Sequence, residues 1–523
     1  MNYKLLKRTR VVVSLVFVIA TFSIFLDIYE VLPNPVINAV TWLQFMPSIL
    51  DFVEVTALAS IGFIIVLILS LLMGRIYCST ICPLGILQDG FAFIAKRRSK
   101  KKFIYKKKKP QTLLRYSLLA LALIALFASF SIIITLLDPY SNAARFFTYL
   151  MRPILILGNN ALALALQHWE IYTLNPVKLI LAPWFIFVLT ASFFLIIAYL
   201  SYKRGRLFCN TICPVGTFLG LISKVSWLKI GFDSDKCTKC GHCIGVCKSE
   251  CIDIKQMTVD HSRCVDCFNC LAICPESALS LGKFKKTESN KAKSATSDHS
   301  RRGVLATGLA LITSQAVLAD IKKKTNSTTD KLILNKKDFA VAPPGAIGIK
   351  RFNAICTACG LCVTACPTQV LQPAVAEYGL KGFMQPHMDY GSGYCNFDCR
   401  GCTQICPTGA LLPISIEEKQ ITQLGKAIFV KENCVVYTDG TDCGACSEHC
   451  PTKAVNMVPY EGKLLIPEVN QDICIGCGAC EHPCPVDKPY KAIYVNGNAI
   501  HQAAQKPKEE ESTSQPVEED FPF

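Results

Sequence analysis

No Cys-x-x-Cys-His phrase occurs in the sequence, and its long apolar runs contain no histidine. Neither c-type nor b-type haem therefore has candidate ligands, and no haem is expected. Charge is also scarce, at 18% of residues against 51% hydrophobic. A chain of 523 residues so composed belongs partly in lipid. Nor is there an aromatic-interleaved basic groove. The one dense basic run, KRRSKKKFIYKKKK from Lys96 to Lys109, adjoins apolar stretches and reads as a cytoplasmic loop, so no nucleic-acid partner is expected.

What the chain has in excess is cysteine, 29 in all. Sixteen form an array of four phrases: Cys356, Cys359, Cys362 and Cys366; Cys395, Cys399, Cys402 and Cys406; Cys434, Cys443, Cys446 and Cys450; Cys474, Cys477, Cys480 and Cys484. Each phrase ends in Cys-x3-Cys-Pro. Three close thiolates hold three corners of a 4Fe-4S cube, and the displaced fourth serves a neighbouring cube. Four phrases imply four clusters, since the repeated spacing disfavours a disulfide knot or zinc. Adjacent pairing (one with two, three with four) and nested pairing (one with four, two with three) both remain open. Upstream, Cys237, Cys240, Cys243 and Cys247 precede Cys264, Cys267, Cys270 and Cys274 in a two-cluster ferredoxin pattern. Cross-ligation groups Cys274 with the first three and Cys247 with Cys264, Cys267 and Cys270. Lys248 stands where proline is usual, and Cys251 is left over as a structural thiol. The expectation is six 4Fe-4S clusters on 24 cysteines.

Four apolar runs have spanning length: Val11–Val31, Val55–Met73, Tyr116–Leu137 and Leu179–Leu200. Residues 32–54 contain no Lys or Arg, and 138–176 hold only Arg145 and Arg152, whereas the N-terminus, 74–115 and the segment after Leu200 are basic. Both ends of this unit should be cytoplasmic, with Trp42, Trp169 and Trp184 near the outer interface. GRIYCSTICPL at 74–84 recurs as GRLFCNTICPV at 205–215, each after the second helix of a hairpin. A duplicated hairpin would bring Cys78, Cys82, Cys209 and Cys213 into a metal, Fe–S or dithiol site at the cytoplasmic boundary. The outer connection 138–176, interrupted by Pro153 and Gly158-Asn159-Asn160, reads as surface-lying or re-entrant. Asp51, Glu54, Arg145, Arg152 and His168 are candidate partners there for a quinol headgroup.

The fold expected is an α-helical membrane domain of four spans (1–215) plus α+β ferredoxin-like 4Fe-4S domains. A two-cluster ferredoxin (216–282) is followed by a linker (283–342), a four-cluster domain (343–500) and a disordered acidic tail (501–523). Arg301-Arg302 before the apolar 303–319 looks like a twin-arginine export signal, the route a folded, cluster-loaded domain requires. The apolar piece could cross the membrane, be cleaved, or do neither.

These motifs carry a resemblance. The first 280 residues or so resemble NapH, the membrane-bound polyferredoxin of periplasmic nitrate reduction systems, through four spans, two Cys-x3-Cys-Pro phrases and a following ferredoxin. Residues 299–500 resemble the NapG and MauM ferredoxins, through the twin-arginine signal, Pro343-Pro344-Gly345-Ala346 and four cluster motifs. The chain thus looks like a NapH-NapG fusion; the membrane module also resembles NosR-type regulators and CcoG-type assembly ferredoxins. The resemblance implies a quinol dehydrogenase component in the inner membrane, with 216–302 cytoplasmic and 343–500 periplasmic. It would pass electrons from quinol to a periplasmic redox enzyme or cytochrome. A copper-reducing assembly factor and a cytosolic electron-input module are the alternatives. Cys395-x3-Cys399 and Cys434-x8-Cys443 depart from the family spacing.

Overall fold

The computed structural model describes residues 2–55, 61–98, 105, 109–283 and 332–506. The Arg301-Arg302 pair, segment 303–319, most of the linker and the acidic tail from 507 onward lie outside the described residues.

The N-terminal half is a helical bundle. Its first helix, Tyr3–Leu26, opens where Asn2 Oδ1 accepts the Leu5 N–H at 3.2 Å. It closes at Asp27, whose carboxylate takes the Val31 and Leu32 N–H groups at 3.0 and 2.8 Å and turns the chain. Trp184–Arg204 begins after Pro183 and stops at Gly205, whose φ of 65° is left-handed. Both are long and apolar enough to cross a membrane. Their outward faces leave Val12, Val16, Ile19, Phe187 and Leu195 exposed, as lipid-facing residues would be.

Two expected spans differ. Tyr116–Leu137 splits into helices Thr112–Phe127 and Ser131–Leu137, because Ser129 adopts a positive φ of 53° between them. From Val55–Met73 a helix is described only over Gly62–Met73. The outer connection is not interrupted at Pro153 or at 158–160: Pro139–Gln167 is one helical run of 29 residues, long and apolar enough in length and composition to cross a membrane. Pro153 falls in the first turn after a π-helical stretch, Phe147–Met151, where its missing N–H costs little. Asn160, which looked like a breaker, instead uses its amide to hold the Val177 N–H and C=O, both at 2.8 Å. Asn34–Trp42 and Phe45–Val53 meet at 97°, as a broken span or re-entrant pair would.

The two cysteine-rich domains sit at opposite ends of this bundle. The first ferredoxin, closed by strand Lys229–Phe232 against Leu279–Gly282, packs on Tyr3, Leu6, Met73 and Ile76. The array packs at the other end of the first helix, where Phe25 meets Tyr140 and Phe147. Polar contacts seal that second interface: Asn34 and Asn38 reach Gln404, Ser131 donates to Lys381 O at 2.8 Å, and Gln369 Oε1 accepts the Ile180 N–H at 3.1 Å. Within the array, a long antiparallel ribbon pairs Thr422–Phe429 with Ile493–Ala503 and ties its halves together.

Candidate iron-sulfur and thiol sites

Backbone chirality explains how the spaced cysteines converge. In all four phrases with Cys-x2-Cys-x2-Cys spacing, the residues flanking the second cysteine are left-handed: Lys239 and Gly241, Asp266 and Phe268, Ala358 and Gly360, Gly476 and Gly478. Successive reversals wrap the loop around a common centre. Short helices such as His242–Val246 and Leu361–Thr364 then present the third thiol. The two departing phrases lack this device, since Arg400 and Gly444 have φ of −129° and −120°. The extra residues do the bending there, eight of them in part as the turn of helix Val435–Thr438.

The thiols close enough to perturb one another fall into groups of four. Cys356, Cys359 and Cys362 gather with Cys406, and Cys395, Cys399 and Cys402 with Cys366. Likewise Cys434, Cys443 and Cys446 meet Cys484, and Cys474, Cys477 and Cys480 meet Cys450. This is the adjacent scheme. The groups form a connected series, because Cys395 donates its N–H to Cys477 O at 2.9 Å and the second group thereby touches the fourth. Burial pushes Cys359 and Cys477 up to about 12. Since ligands must be thiolates, loading such sites releases protons.

The donor set fits 4Fe-4S cubes. Each group draws four thiols from two phrases, and backbone N–H groups of Ala358, Leu411 and Ala454 donate to Cys356, Cys406 and Cys450 sulfurs at 3.4, 3.4 and 3.2 Å. Among the described residues no three His, Cys, Asp or Glu side chains converge tightly enough to surround one ion. A tetrahedral zinc, with Zn–S of about 2.3 Å, requires that convergence, whereas a cube with one thiolate per iron does not. In the first ferredoxin Cys243 lies near Cys240 and Cys274, and Cys270 near Cys247, Cys264 and Cys267, as cross-ligation requires. Cys251 is more than a packed thiol: its sulfur is 3.5 Å from that of Cys247, and this hydrogen bond lowers Cys247 to about 7.

The repeated membrane phrases also converge. Cys82 lies near Cys209 and Cys78, and Cys213 near all three, every one buried. Two arginines the sequence reading passed over hold them there. Arg75 of the first copy donates to Cys209 O at 3.1 Å and Asn210 Oδ1 at 2.7 Å, while Arg206 of the second donates to Cys78 O. Each copy thus clamps the other's cysteine turn. Both arginines belong to the repeated phrases GRIYCSTICPL and GRLFCNTICPV, three residues ahead of the first cysteine. The clamp reaches into the first ferredoxin: a Cβ on Gly205 would lie 2.5 Å from Lys248 O, and one on Gly74 would overlap Asp266. Lys248, the proline replacement, forms a buried ion pair with Asp89 at 2.5 Å, which Arg206 and Arg10 share at 2.6 and 3.3 Å.

Among the residues considered for quinol, each described side chain has its own setting. Arg145 is buried under the array, donating to Thr135 O and Asn142 Oδ1 at 2.6 and 2.5 Å. Arg152 donates to Phe25 O and Asp27 O, both at 3.2 Å, and lines a small cleft with Thr148 and Gln369. His168 stands apart beside Trp169, Asp51 lies in helix Phe45–Val55, and the Glu54 side chain lies outside the described residues.

A family model described as "4Fe-4S binding domain" matches residues 55–102 and again 183–233, each stretch containing one Cys-x3-Cys-Pro phrase. A "4Fe-4S dicluster domain" model matches 355–410 and 441–488. The chain is 31% identical over 189 residues to the methylamine utilization ferredoxin-type protein MauM of Methylorubrum extorquens, covering 35% of this chain and 80% of that protein. It is 34% identical to the ferredoxin-type protein NapG of Escherichia coli K12, covering 28% of this chain and 67% of NapG. The chain belongs to the NapG/MauM family of ferredoxin-type proteins. MauM of Methylophilus methylotrophus is 36% identical, and the match covers 27% of this chain and 65% of that relative. The chain thus spans about two thirds of the length of such relatives, and most of it lies outside the aligned part. No solved structure matches. As a family member it is a ferredoxin-type iron-sulfur protein with several apolar helices of membrane-spanning length and composition.

Proposed function

We propose that this chain is a membrane-bound relay of six 4Fe-4S clusters on the 24 cysteines named above, passing electrons from the quinol pool to a periplasmic oxidoreductase. The observation that carries the reading is the continuous core between the two cysteine-rich domains. Cys267 of the first ferredoxin, the four thiols of the repeated phrases and Cys359 of the array belong to one packed cluster of residues. Tyr77 lies near Cys78 and Cys82 on one side and Asp138 on the other; Tyr140 lies near Asp138, Cys359 and Cys406. A redox centre at Cys78, Cys82, Cys209 and Cys213 would divide a helix length of roughly 36 Å into two shorter steps. The clusters would supply the one-electron chemistry; the chain positions them, screens them from water and tunes them through N–H and S–H donors.

Docking of the array on Asn34 and Asn38, within the 32–54 segment that holds no Lys or Arg, supports a periplasmic array and disfavours the cytosolic-input alternative. Four connected clusters also exceed what a copper-reducing assembly factor needs. The test is anaerobic mixing of the full chain in nanodiscs with a reduced quinol. Bleaching of the iron-sulfur absorbance is expected. Clusters that stay oxidised with quinol yet are reduced by a cytosolic ferredoxin would overturn the direction. An alkaline phosphatase fusion after residue 340 should be active only with the twin-arginine route intact.

A further inference from the structure

A cavity of about 270 Å³ opens at the seam between the helical bundle and the first ferredoxin. Its wall contains five cationic side chains: Lys109, Arg204, Arg206, Lys248 and Arg263. They come from three separate pieces of chain: the approach to helix Thr112–Phe127, the second cysteine repeat and the ferredoxin. One acid, Glu250, shares the wall and pairs with Arg204 at 3.0 Å. Two more stand behind it. Asp260 holds Arg263 at 2.8 Å, and Asp89 is divided among Arg206, Lys248 and Arg10. Even with those two counted, positive charge exceeds negative around the space.

Hydrogen-bond supply points the same way. Arg206 is fully buried, yet its Nη2 has no partner; the buried Ser249 Oγ and the Arg204 Nε are likewise unmatched. Burying a donor without an acceptor costs about 1–3 kcal/mol, more when it is charged. Three such donors around one cationic cavity call for an acceptor-rich anion.

We infer that this cavity binds a phosphoryl group, whose oxygens accept from Arg206, Arg204 and Ser249 and whose charge balances the surplus. Guanidinium forks match phosphate geometry, and the volume admits a phosphate with the first atoms of its ester. The group comes either from an anionic phospholipid of the adjoining leaflet or from free phosphate. In both cases it staples the first ferredoxin to the repeated cysteine phrases, since the wall spans both.

The test uses the full, cluster-loaded chain in nanodiscs of phosphatidylcholine alone, phosphatidylcholine with phosphatidylglycerol, and phosphatidylcholine with added inorganic phosphate. Thermal loss of the iron-sulfur absorbance is followed in each. A rise in midpoint of a few degrees with phosphatidylglycerol only assigns a lipid headgroup; a similar rise with phosphate assigns the free anion. Either rise should vanish in Lys109→Gln/Arg263→Gln and shrink in Ser249→Ala, which removes only an unpartnered hydroxyl. No rise in either medium, or an undiminished rise in both variants, would overturn the inference. If the double variant does not fold, Ser249→Ala alone decides.

Discussion

Replacing Asp89 by Asn should uncouple the first ferredoxin from the membrane bundle. Its side chain, 13% exposed, meets Arg206 at 2.6 Å, Lys248 at 2.5 Å and Arg10 at 3.3 Å, drawing together the first helix, the second repeat and the ferredoxin. Burial alone would raise its pKa, but Arg206 and then Lys248 hold it well below the usual carboxylate range. At an effective dielectric of about 20, 332/(εr) gives roughly 6 kcal/mol for each of the two shortest contacts before desolvation. Stranding the partners of a buried pair costs about 3–5 kcal/mol net. Asn would leave three cations facing one neutral amide, so a loss of about 3–5 kcal/mol is expected, localised at this interface. Hydrogen exchange by mass spectrometry reads it: amides of 229–282 should exchange roughly a hundred-fold to a few thousand-fold faster, while those of 422–429 stay protected. The companion Asp89→Asn/Lys248→Met, which removes one stranded charge, should recover part of the loss. The sign with pH is set by the depressed carboxyl. Its contribution is fully present above about pH 4 and is lost as pH falls towards the folded value, so the effect should be flat from pH 5 to 8. Unchanged exchange in 229–282, or a loss spread evenly over the chain, would refute the clamp.

Other expectations concern the array and the repeat. Cys406→Ser and Cys356→Ser serve the same cube under adjacent pairing, so the double variant should lose about four irons, as each single does, rather than the roughly eight that nested pairing requires. Gly216→Ala would set a Cβ 2.7 Å from Arg75 Nη2 and against the Cys209 carbonyl, costing about 1–3 kcal/mol by thermal denaturation, whereas Gly90→Ala meets open space and should be neutral. Tyr390→Phe removes the hydroxyl donated to Gly476 O at 2.5 Å, leaving a buried carbonyl beside the fourth array phrase. A destabilisation of about 1–3 kcal/mol is expected from denaturant titration. His501 is held to about 4 by burial. A histidine kept neutral in the fold gives stability that is present above its unfolded pKa of about 6.5 and is lost as pH falls through 4, so His501→Gln should flatten the acid limb of the array's stability profile.

Much of the site was legible because cysteine spacing is local chemistry. Thiols two residues apart converge when the intervening backbone turns left-handed, and glycine stands at 241, 360, 476 and 478 where that is needed. What escaped was non-local. Adjacent pairing depends on how Cys406 and Cys366 cross between loops some 40 residues apart, and gap lengths carry no trace of it. Pro153 looked like a break because the π-turn that accommodates it has no compositional mark. Arg75 and Arg206 were in plain view in both repeats, but their reciprocal bonds appear only when the copies face each other. Lys248 looked like a defect in a ferredoxin phrase and is instead the ferredoxin's half of an ion pair.

The central claim is that inner ferredoxin, buried thiols and array form one electrically connected path. Sealed proteoliposomes with uniform orientation test it, with a membrane-impermeant reductant supplied only on the side of residues 229–282 and the array clusters followed by electron paramagnetic resonance. The account predicts reduction of the array as well as the first ferredoxin, slowed at least tenfold in Cys78→Ser/Cys209→Ser. Reduction confined to the first ferredoxin, with the array oxidised until the vesicles are opened, would contradict it.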